Sequence, residues 1–541
     1  MDYAELHCHS YYSFHDGASS LEELMLRAKE LGYNALALTD HDNLCGAMRF
    51  SHLAHAMGLK GIIGAELTLK GGYHLTLLVE NKDGYRNLCR LITAAHNAGE
   101  RNKPELPPNV IAKHASGLIA LSGCPRGELA SMVGNSQLNE AGNLIRQYTA
   151  WFGRENYYLE LQQNLVFGDT ERNTKLLELA QTTGAGVVFT GNVHYHIRER
   201  HQLQDCLVAI KNCKSLEESH RERRPNSEFY MRPLPELAAL SRDYPEALSN
   251  TAKIAERCNF DLSCDQSYTF PDYQAPAGLN PDSYLEKMCH EAAVRRYGAI
   301  TPEVKQRLEQ EFRLVHKFNL AGFLLLYHDV INLGRETMID LGLSDPSLSF
   351  EENPPGRGRG SSVALLIGYL IGLSHIDPLK YNLSLERFLP DDAMTNVPDI
   401  DLDFPRSIRE ELILRTHRKW GWEHAALTGT IVTYQIKGAI RDLGKALSLP
   451  EEEVDQLSKQ VDYGSARGLE SQMQKSPGFN SKIEAPVWRD LIRLAFEIDG
   501  FPKCLGQHPG GMIISSTPLT DIVCREALSK AATCASGIRT A

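Results

Sequence analysis

Short apolar segments alternate with amphipathic helical patterns through about the first 213 residues, and this alternation restricts the fold more than any other feature of the sequence. Four segments have helical periodicity: LEELMLRAKELG, MRFSHLAHAMG, NEAGNLIRQYTAWFG and ERNTKLLELAQTTG. The predicted strands between them are Ala35–Leu38, Gly61–Ile63, His74–Val79, Gly117–Leu121, Tyr157–Leu161 and Val187–Thr190. Repeated strand–helix units favour a mostly parallel sheet, and this many of them predict an α/β fold closed into a barrel.

The rest of the chain is long enough for further domains, because one hydrophobic core rarely extends past roughly 250 residues and the chain has 541. The segment PDYQAPAGLNP is typical of a connector, so we place the first domain boundary near residue 265. A second strand-containing region, interrupted by ENPPGRGRGSS, extends to about residue 430. Helical segments rich in Lys, Glu and Asp follow to about residue 500.

The composition is that of a soluble globular protein, with 42% apolar and 23% charged residues. The sequence has no apolar run of about 18 residues and starts with MDYAELHCHS, which lacks a signal-peptide pattern; we therefore expect no membrane segment and a cytoplasmic location. Twelve cysteines without a CxxC pair argue against a disulfide framework or a zinc ribbon. Since the formal net charge is −11, binding to nucleic acid would require local basic patches.

A first group of residues has the types and positions of metal ligands. His7 and His9 are two residues apart near a predicted strand, which places both imidazoles on one face. Further potential ligands follow other predicted strands, at the edge where barrels assemble their sites: His41, Glu66, Cys124 and His194, with Asp16 and His74 as possible additions. A single His or Cys at such a position is more often structural. Together, however, these ligand types favour two or three Zn²⁺ or Mn²⁺ ions that activate water and hold a phosphoester.

A second group of residues combines close carboxylates with a glycine-rich loop. Asp399, Asp401 and Asp403 alternate, so on a strand they share one face, where bound Mg²⁺ would offset their repulsion. About forty residues earlier, glycines allow close backbone approach, and Arg357 and Arg359 supply phosphate donors. The alternative is an acidic strand end on the surface.

Lys437, Arg441 and Lys445 have i, i+4, i+8 spacing, which predicts a basic stripe on one helix face. Such a stripe is usually solvated surface. In a nucleic-acid enzyme it would instead face phosphates of DNA or of a nucleotide.

The motifs ELHCHSYYSFHDGAS, LTDHDN, GAELT, LSGCPRGELA and TGNVHYH resemble those of the polymerase and histidinol phosphatase (PHP) domain. The resemblance implies a (β/α)7-like barrel over residues 1–265. It also implies nine metal-ligand positions, which are occupied here by His7, His9, Asp16, His41, Glu66, His74, Cys124, Asn192 and His194. Asn192 stands where the family normally has Asp, so one metal is expected to bind loosely or to be lost. The resemblance leaves open a 3′→5′ exonuclease, another phosphoesterase or a scaffold stiffened by metal.

The segments GRGS, DPL, LERFLP, PDIDLDFP and FPKCLGQHPGGMIIS resemble C-family bacterial DNA polymerases (DNA polymerase III α subunits), and several motifs are most similar to the error-prone, translesion branch. The resemblance implies an α+β palm of the polymerase-β-like nucleotidyltransferase type at 266–430, a helical thumb at 431–505 and a return to the palm at 506–523. It implies that Asp401 and Asp403 are catalytic ligands of Mg²⁺, with deoxynucleoside triphosphates and a DNA primer–template as substrates. The implied nucleotide- or DNA-binding residues are Arg357, Gly358, Arg359, Gly360, Ser361, Lys437, Arg441 and His508, the last in a turn, His-Pro-Gly-Gly.

From Cys524 onward the sequence departs from the family pattern, which predicts an unrelated tail at 524–541 and a C-terminally truncated chain. Family members are roughly twice as long, so a third catalytic Asp and any segment that binds a sliding clamp or mutagenesis accessory proteins would be missing. Polymerase activity is then expected to be impaired. Two alternatives stay open: a PHP-domain exonuclease or phosphoesterase that acts independently of the palm, and an inactive fragment.

Overall fold

The computed structural model describes residues 2–100, 103–265, 273–276, 278–350, 352–385, 400–529 and 532–536. The chain forms two compact units. The first comprises Met1–Ser267, Leu427–Gly511 and Leu519–Ala541, and the second comprises Tyr268–Ala426 and Met512–Pro518. In the described part of the chain, no helix is both long and apolar enough to cross a membrane.

A seven-stranded sheet dominates the first unit, and its strands are adjacent in chain order. They are β1 Ala4–Glu5, β2 Ala35–Leu38, β3 Lys60–Thr68, β4 His74–Val79, β5 Leu118–Leu121, β6 Tyr157–Gln162 and β7 Gly186–Thr190. Strand β4 runs antiparallel to both neighbours, and the other adjacent pairs are parallel. Just beyond β1 and β7, Val193 N donates to His7 O at 2.9 Å and His9 N donates to Val193 O at 2.8 Å. These bonds join the two edges, so the sheet is a nearly closed barrel.

The predicted barrel and its mostly parallel strands are thus confirmed, with one difference that affects the site. Strand β3 continues to Thr68, so Glu66 lies inside a strand rather than beyond its end. His74 is the first residue of β4, as predicted. Because β4 runs against its neighbours, its start lies at the same edge of the barrel as their carboxyl ends.

Helices pack around the barrel strands, and those up to residue 265 are α1 Leu21–Glu30, α2 Ala47–Met57, α3 Lys82–Ala98, α4 Pro108–Ile111, α5 Glu128–Gly134, α6 Leu138–Phe152, α7 Asp169–Thr183, α8 His201–Lys211, α9 Leu234–Leu240, α10 Pro245–Arg257 and α11 Leu262–Asp265. The four predicted helices correspond to α1, α2, α6 and α7. Ser20 and Glu23 form a capping box that starts α1. The sequence predictions do not include α3, whose buried face contains polar residues such as Asn87 and Thr93 that interrupt the apolar pattern.

The first unit also contains the helical segment that follows residue 426. Its helices are α17 Ile436–Ala446, α18 Glu451–Gln460, α19 Leu469–Lys475 and α20 Pro486–Ile498. Tyr434 and Ile436 belong to the same buried apolar cluster as the barrel helices. Leu216 N donates to Ala446 O at 2.9 Å, and Arg200 on the barrel side pairs with Glu497 at 3.2 Å. The region predicted as a thumb therefore packs directly against the barrel region.

A four-stranded sheet accompanies these helices, with the order β11-β10-β13-β12. Its strands are β10 Ala425–Thr433, β11 Pro502–Ile514, β12 Cys524–Ser529 and β13 Ala532–Ser536. The start of the predicted tail is part of this sheet. Arg525 N donates to Thr93 Oγ1 of α3 at 3.0 Å, and Cys524 is only 2% exposed. Residues 524–526 thus pack against a barrel helix.

The second unit is mainly helical, with a short two-stranded sheet. Its helices are α12 Pro281–Tyr297, α13 Pro302–Lys317, α14 Ala321–Asp340, α15 Leu366–Leu370 and α16 Arg409–Trp420, and its strands are β8 Arg357–Arg359 and β9 Asp401–Asp403. Asn280 and Thr301 cap α12 and α13, each followed by a proline that suits the first helical position. Leucines and isoleucines of α12 to α15 form a separate apolar core.

The buried carboxylate of Glu311 on α13 holds the amino end of α15. The backbone N–H groups of Leu366 and Ile367 each donate to it at 2.8 Å, and Arg307 donates at 2.7 Å. Arg307 also donates to Ala364 O at 2.7 Å. Glu311 therefore organises the segment that directly follows the glycine-rich loop.

Replacing Glu311 by Gln should lower the free energy of unfolding by about 1–3 kcal/mol, because an amide supplies one acceptor oxygen and leaves a buried N–H and Arg307 without a full set of acceptors. Urea denaturation of the purified chain measures this change. The exposed Glu309→Gln on the same helix is the control and should change stability by less than about 0.5 kcal/mol. Equal midpoints for the two variants would contradict the assigned role of Glu311.

Candidate functional site

The barrel brings the predicted metal-binding residues to one edge. His7 and His9 follow β1, His41 follows β2, Cys124 follows β5, and Asn192 and His194 follow β7. Isolated bridges between Cys8 and Val193 and between His41 and Glu66 fix the backbone of these segments. All nine positions are buried except His41, which is 13% exposed at its side chain.

Glu66 lies at the centre of this group. Its Oε2 is 3.1 Å from His41 Nε2 and 3.1 Å from His74 Nδ1, and its Oε1 is 3.4 Å from His7 Nε2. Two triads of ligand atoms share this carboxylate: His7, His9 and Glu66, and His41, Glu66 and His74. In each triad the ligand atoms lie within 4.8 Å of one another. One carboxylate between two sets of imidazoles suits a pair of divalent ions.

The chemistry of Glu66 fits a bound cation. Its Oε1 is buried and has no hydrogen-bond partner among the described residues. Burial alone would raise the pKa of Glu66, but His74, His41 and His7 hold that pKa well below its usual value. Glu66 is therefore a carboxylate with a free lone pair in a site closed to water, which is costly unless a cation lies beside it.

Glu160 orients His7 for metal binding. His7 Nδ1 donates to Glu160 Oε1 at 2.6 Å, which leaves Nε2 facing His9 Nε2, 3.1 Å away. Burial opposes protonation of His7, yet Glu160 and Glu66 raise the pKa of His7 to about 10, so a metal that binds Nε2 has to displace the proton there. Thr190 Oγ1 and Gln162 Nε2 also donate to Glu160 Oε1. Sequence reasoning missed Glu160, although a buried acidic residue within the predicted strand Tyr157–Leu161 was a signal for it.

Neither of the two triads around Glu66 includes Cys124, Asp16, Asn192 or His194. Cys124 Sγ is 3.4 Å from His74 Nδ1, and burial raises the pKa of this thiol well above its usual value, so a thiolate here would need a metal. Asn192 Oδ1 accepts a hydrogen bond from His194 Nε2 at 3.0 Å, and Asn192 Nδ2 donates to Gln162 at 3.2 Å. Asp16 Oδ2 faces His41 Nε2 at 3.1 Å.

In the second unit, the glycine-rich loop and the Asp-Leu-Asp strand form a two-stranded antiparallel sheet. Arg357 is opposite Asp403, and Arg359 is opposite Asp401. Both aspartates are exposed and, being two residues apart, project from the same face. Arg359 Nε forms an ion pair with Asp403. Asp399 lies outside the described residues.

Gly358 is needed because strand β8 approaches the backbone of Leu373 closely. A Cβ atom at Gly358 would lie 2.2 Å from Leu373 O, closer than real contacts allow. Gly360 and Ser361 lie in the short 3-10 helix Gly360–Ala364 that comes next.

The remaining predicted nucleotide- and DNA-binding residues lie in or near the helical segment of the first unit. Lys437 and Arg441 are on α17, where Arg441 is exposed and Lys437 Nζ lies 4.2 Å from the ring centroid of Tyr463. His508 is exposed, and its Nδ1 accepts hydrogen bonds from Gly510 N and Gly511 N. The predicted turn at His508-Pro-Gly-Gly is wrong: the segment is extended within β11, which runs without a break from Pro502 to Ile514 beside β10.

Replacing Glu160 by Gln should weaken divalent-metal affinity of the barrel centre about 10–100-fold, because the amide no longer holds His7 in the tautomer that offers Nε2 to a metal. Titration of the metal-free chain with Mn²⁺ or Zn²⁺ measures the affinity. The exposed Glu140→Gln on α6 is the control and should bind as the parent chain does. Equal affinities for Glu160→Gln and the parent would contradict this role.

Two family models match the chain. The model described as "PHP domain" matches residues 5–164, and the one described as "Bacterial DNA polymerase III alpha NTPase domain" matches residues 283–536. The second match extends into the segment predicted as an unrelated tail. A putative metal-dependent phosphoesterase from Bifidobacterium adolescentis aligns to 36% of this chain and 88% of its own, with 16% identity and a TM-score of 0.26.

Curated relatives match nearly the whole chain. An error-prone DNA polymerase of Symbiobacterium thermophilum is 36% identical over 96% of the chain, and one of Pseudomonas aeruginosa is 35% identical over 96%. DNA polymerase III subunit alpha of Treponema pallidum is 32% identical over 97%. The aligned regions cover 48%, 47% and 44% of these relatives, so the chain spans about half of their length. The chain therefore carries a PHP domain and a bacterial DNA polymerase III alpha NTPase domain, and over nearly its whole length it is similar to error-prone DNA polymerases and DNA polymerase III alpha subunits.

Proposed function

We propose that the chain carries the nucleotidyl-transfer site of a DNA-directed DNA polymerase, with a DNA primer–template and deoxynucleoside triphosphates as substrates. The names of the relatives from Symbiobacterium and Pseudomonas support a role in error-prone synthesis during DNA repair. This role would place the protein with the chromosome in the cytoplasm. Residues 266–430 would then act as the palm, and residues 431–505 as the thumb.

The antiparallel sheet of β8 and β9 is the observation on which this proposal rests. It presents Asp401 and Asp403 on one exposed face, opposite the arginines of β8. Carboxylate oxygens in this arrangement fit Mg²⁺. Mg²⁺, when bound there, would supply the Lewis acid that activates the primer 3′-oxygen and stabilises the leaving pyrophosphate.

The arginines of β8 would orient the triphosphate. Arg359 now neutralises Asp403, and it can exchange this partner for a phosphate, with which a guanidinium forms bidentate hydrogen bonds. Arg441 and Lys437 on α17 would contact DNA phosphates. Tyr463, against which Lys437 packs, is 87% exposed and offers an aromatic surface for the same strand.

Asp401→Asn and Asp403→Asn should each lower primer extension by at least about a hundredfold, because loss of one carboxylate weakens the holding of Mg²⁺ in the transition state. Extension of a labelled primer–template with Mg²⁺ and all four deoxynucleoside triphosphates gives the rate. The control is Glu309→Gln on α13, which should extend as the parent chain does. Parent-like extension by Asp401→Asn would exclude β9 as the catalytic strand.

A second candidate function is metal-dependent hydrolysis of phosphoesters at the barrel edge. It is favoured by Glu66, which lies between two groups of histidines and whose buried Oε1 has no hydrogen-bond partner within the part of the chain that the structure describes. Such a site would hold Zn²⁺ or Mn²⁺ through His7, His9, His41, Glu66 and His74. A 3′→5′ exonuclease acting on a primer end is the reaction that fits the polymerase family.

His9→Ala should abolish degradation of 3′-labelled single-stranded DNA, by at least about a hundredfold, while leaving primer extension unchanged. Asp401→Asn should have the opposite effect. His52→Ala, an exposed position on α2, is the control for loss of a histidine. Degradation that survives His9→Ala would show that the hydrolysis arises elsewhere or from a contaminant.

A further inference from the structure

Arg224 contacts the carboxylate of Asp16 and the imidazole of His194, two groups that belong to neither of the metal triads around Glu66. Its Nη2 is 3.3 Å from Asp16 Oδ1 and 3.3 Å from His194 Nδ1. Asp16 is 7% exposed and His194 is fully buried, so the cation reaches into the closed end of the barrel edge. The nine-position family pattern did not include this residue.

The hydrogen bonds of His194 leave it without a free lone pair. Arg224 has only donors, so His194 Nδ1 accepts from it, and the proton of the neutral ring is on Nε2. His194 Nε2 then donates to Asn192 Oδ1 at 3.0 Å. With both ring nitrogens engaged, His194 cannot bind a metal unless Arg224 moves away.

Asp16 is engaged in the same way. Its Oδ1 accepts from Arg224 and from the buried Gln204 Nε2, each at 3.3 Å, and its Oδ2 faces His41 at 3.1 Å. The charge of the guanidinium offsets that of the carboxylate. A further dication at this position would meet the like charge of Arg224 at close range.

The side chain of Arg224 is held in this position by its surroundings. Its guanidinium carbon lies 5.0 Å from the ring centroid of Phe229, a buried residue whose backbone oxygen accepts from His194 N at 2.8 Å. The arginine side chain is 19% exposed. Stacking on an aromatic face that is tied to His194 favours this rotamer over one in solvent.

We propose that the guanidinium of Arg224 takes the place of a third metal ion, so that the barrel centre of this chain holds two ions, both at Glu66. The inference rests on the proposed metal centre and specifies its stoichiometry. Arg224 is thus a built-in cation that neutralises Asp16 and keeps His194 from binding metal. The amide at Asn192 fits this arrangement, because it accepts from His194 without adding a second negative charge.

The stoichiometry can be counted directly. The count uses the full chain with Asp401→Asn and Asp403→Asn, which removes the proposed Mg²⁺ ligands of the second unit, and with Asn192→Asp, so that a weak ligand at position 192 cannot itself account for a missing ion. This parent is stripped with chelator, equilibrated with Mn²⁺, freed of unbound ion and analysed by mass spectrometry of metals. We expect two Mn²⁺ per chain. Adding Arg224→Ala should raise the count to three, whereas Arg224→Lys, which keeps a cation, should stay at two.

Arg223→Ala is the matched control, because Arg223 pairs with Asp205 at 3.0 Å instead of with the metal-binding group, and it should also give two ions. Arg224→Gln replaces Arg224→Ala if the latter does not melt cooperatively. Three ions in the parent, or two in a folded Arg224→Ala or Arg224→Gln chain, would overturn the inference about Arg224. No bound Mn²⁺ in any variant would instead overturn the metal centre itself.

Discussion

Glu66, a buried carboxylate surrounded by imidazoles, determines the charge balance of the barrel site in the first unit. Its Oε1 is removed from water and lacks a hydrogen-bond partner among the described residues, so the group is stable only if positive charge surrounds it. Imidazoles from three different strand ends lie 3.1–3.4 Å from it, and metal ions held by these imidazoles would provide that charge. Closure of the barrel brings these strand ends together, since the segments after β1 and β7 are hydrogen-bonded to each other.

The same edge shows how charge balance can limit the number of ions at a site. Asn192 carries no charge, and a guanidinium contacts the neighbouring Asp16 and His194. The neutral amide and the positive charge both disfavour a dication at this end. The two triads around Glu66 include none of these residues, and Glu160 still orients His7 from behind.

The second unit organises its exposed carboxylates differently. There the aspartates of β9 are in water and close to arginines of the opposite strand, so they can exchange partners. The loop that carries these arginines is fixed by buried contacts: Gly358 approaches Leu373 closely, and Glu311 caps the helix that follows. A backbone fixed by buried contacts beneath exposed charges would suit the proposed nucleotide site.

The sequence by itself determined the barrel strands, four of the helices around them and the residues that meet at the barrel edge, because strand periodicity and the strand-end positions of ligands are local properties. The glycine-rich loop and the Asp-Leu-Asp motif were likewise visible in the sequence, but their pairing as antiparallel strands was decided by the tertiary structure. Only the tertiary structure decided the antiparallel direction of β4, which brings His74 to the site, and the roles of Glu160 and Arg224 beside His7 and His194. It also decided that β11 is extended at His508 and that residues 427–511 pack with the barrel. These features depend on contacts between residues far apart in the chain, whose distances and charges no local pattern specifies.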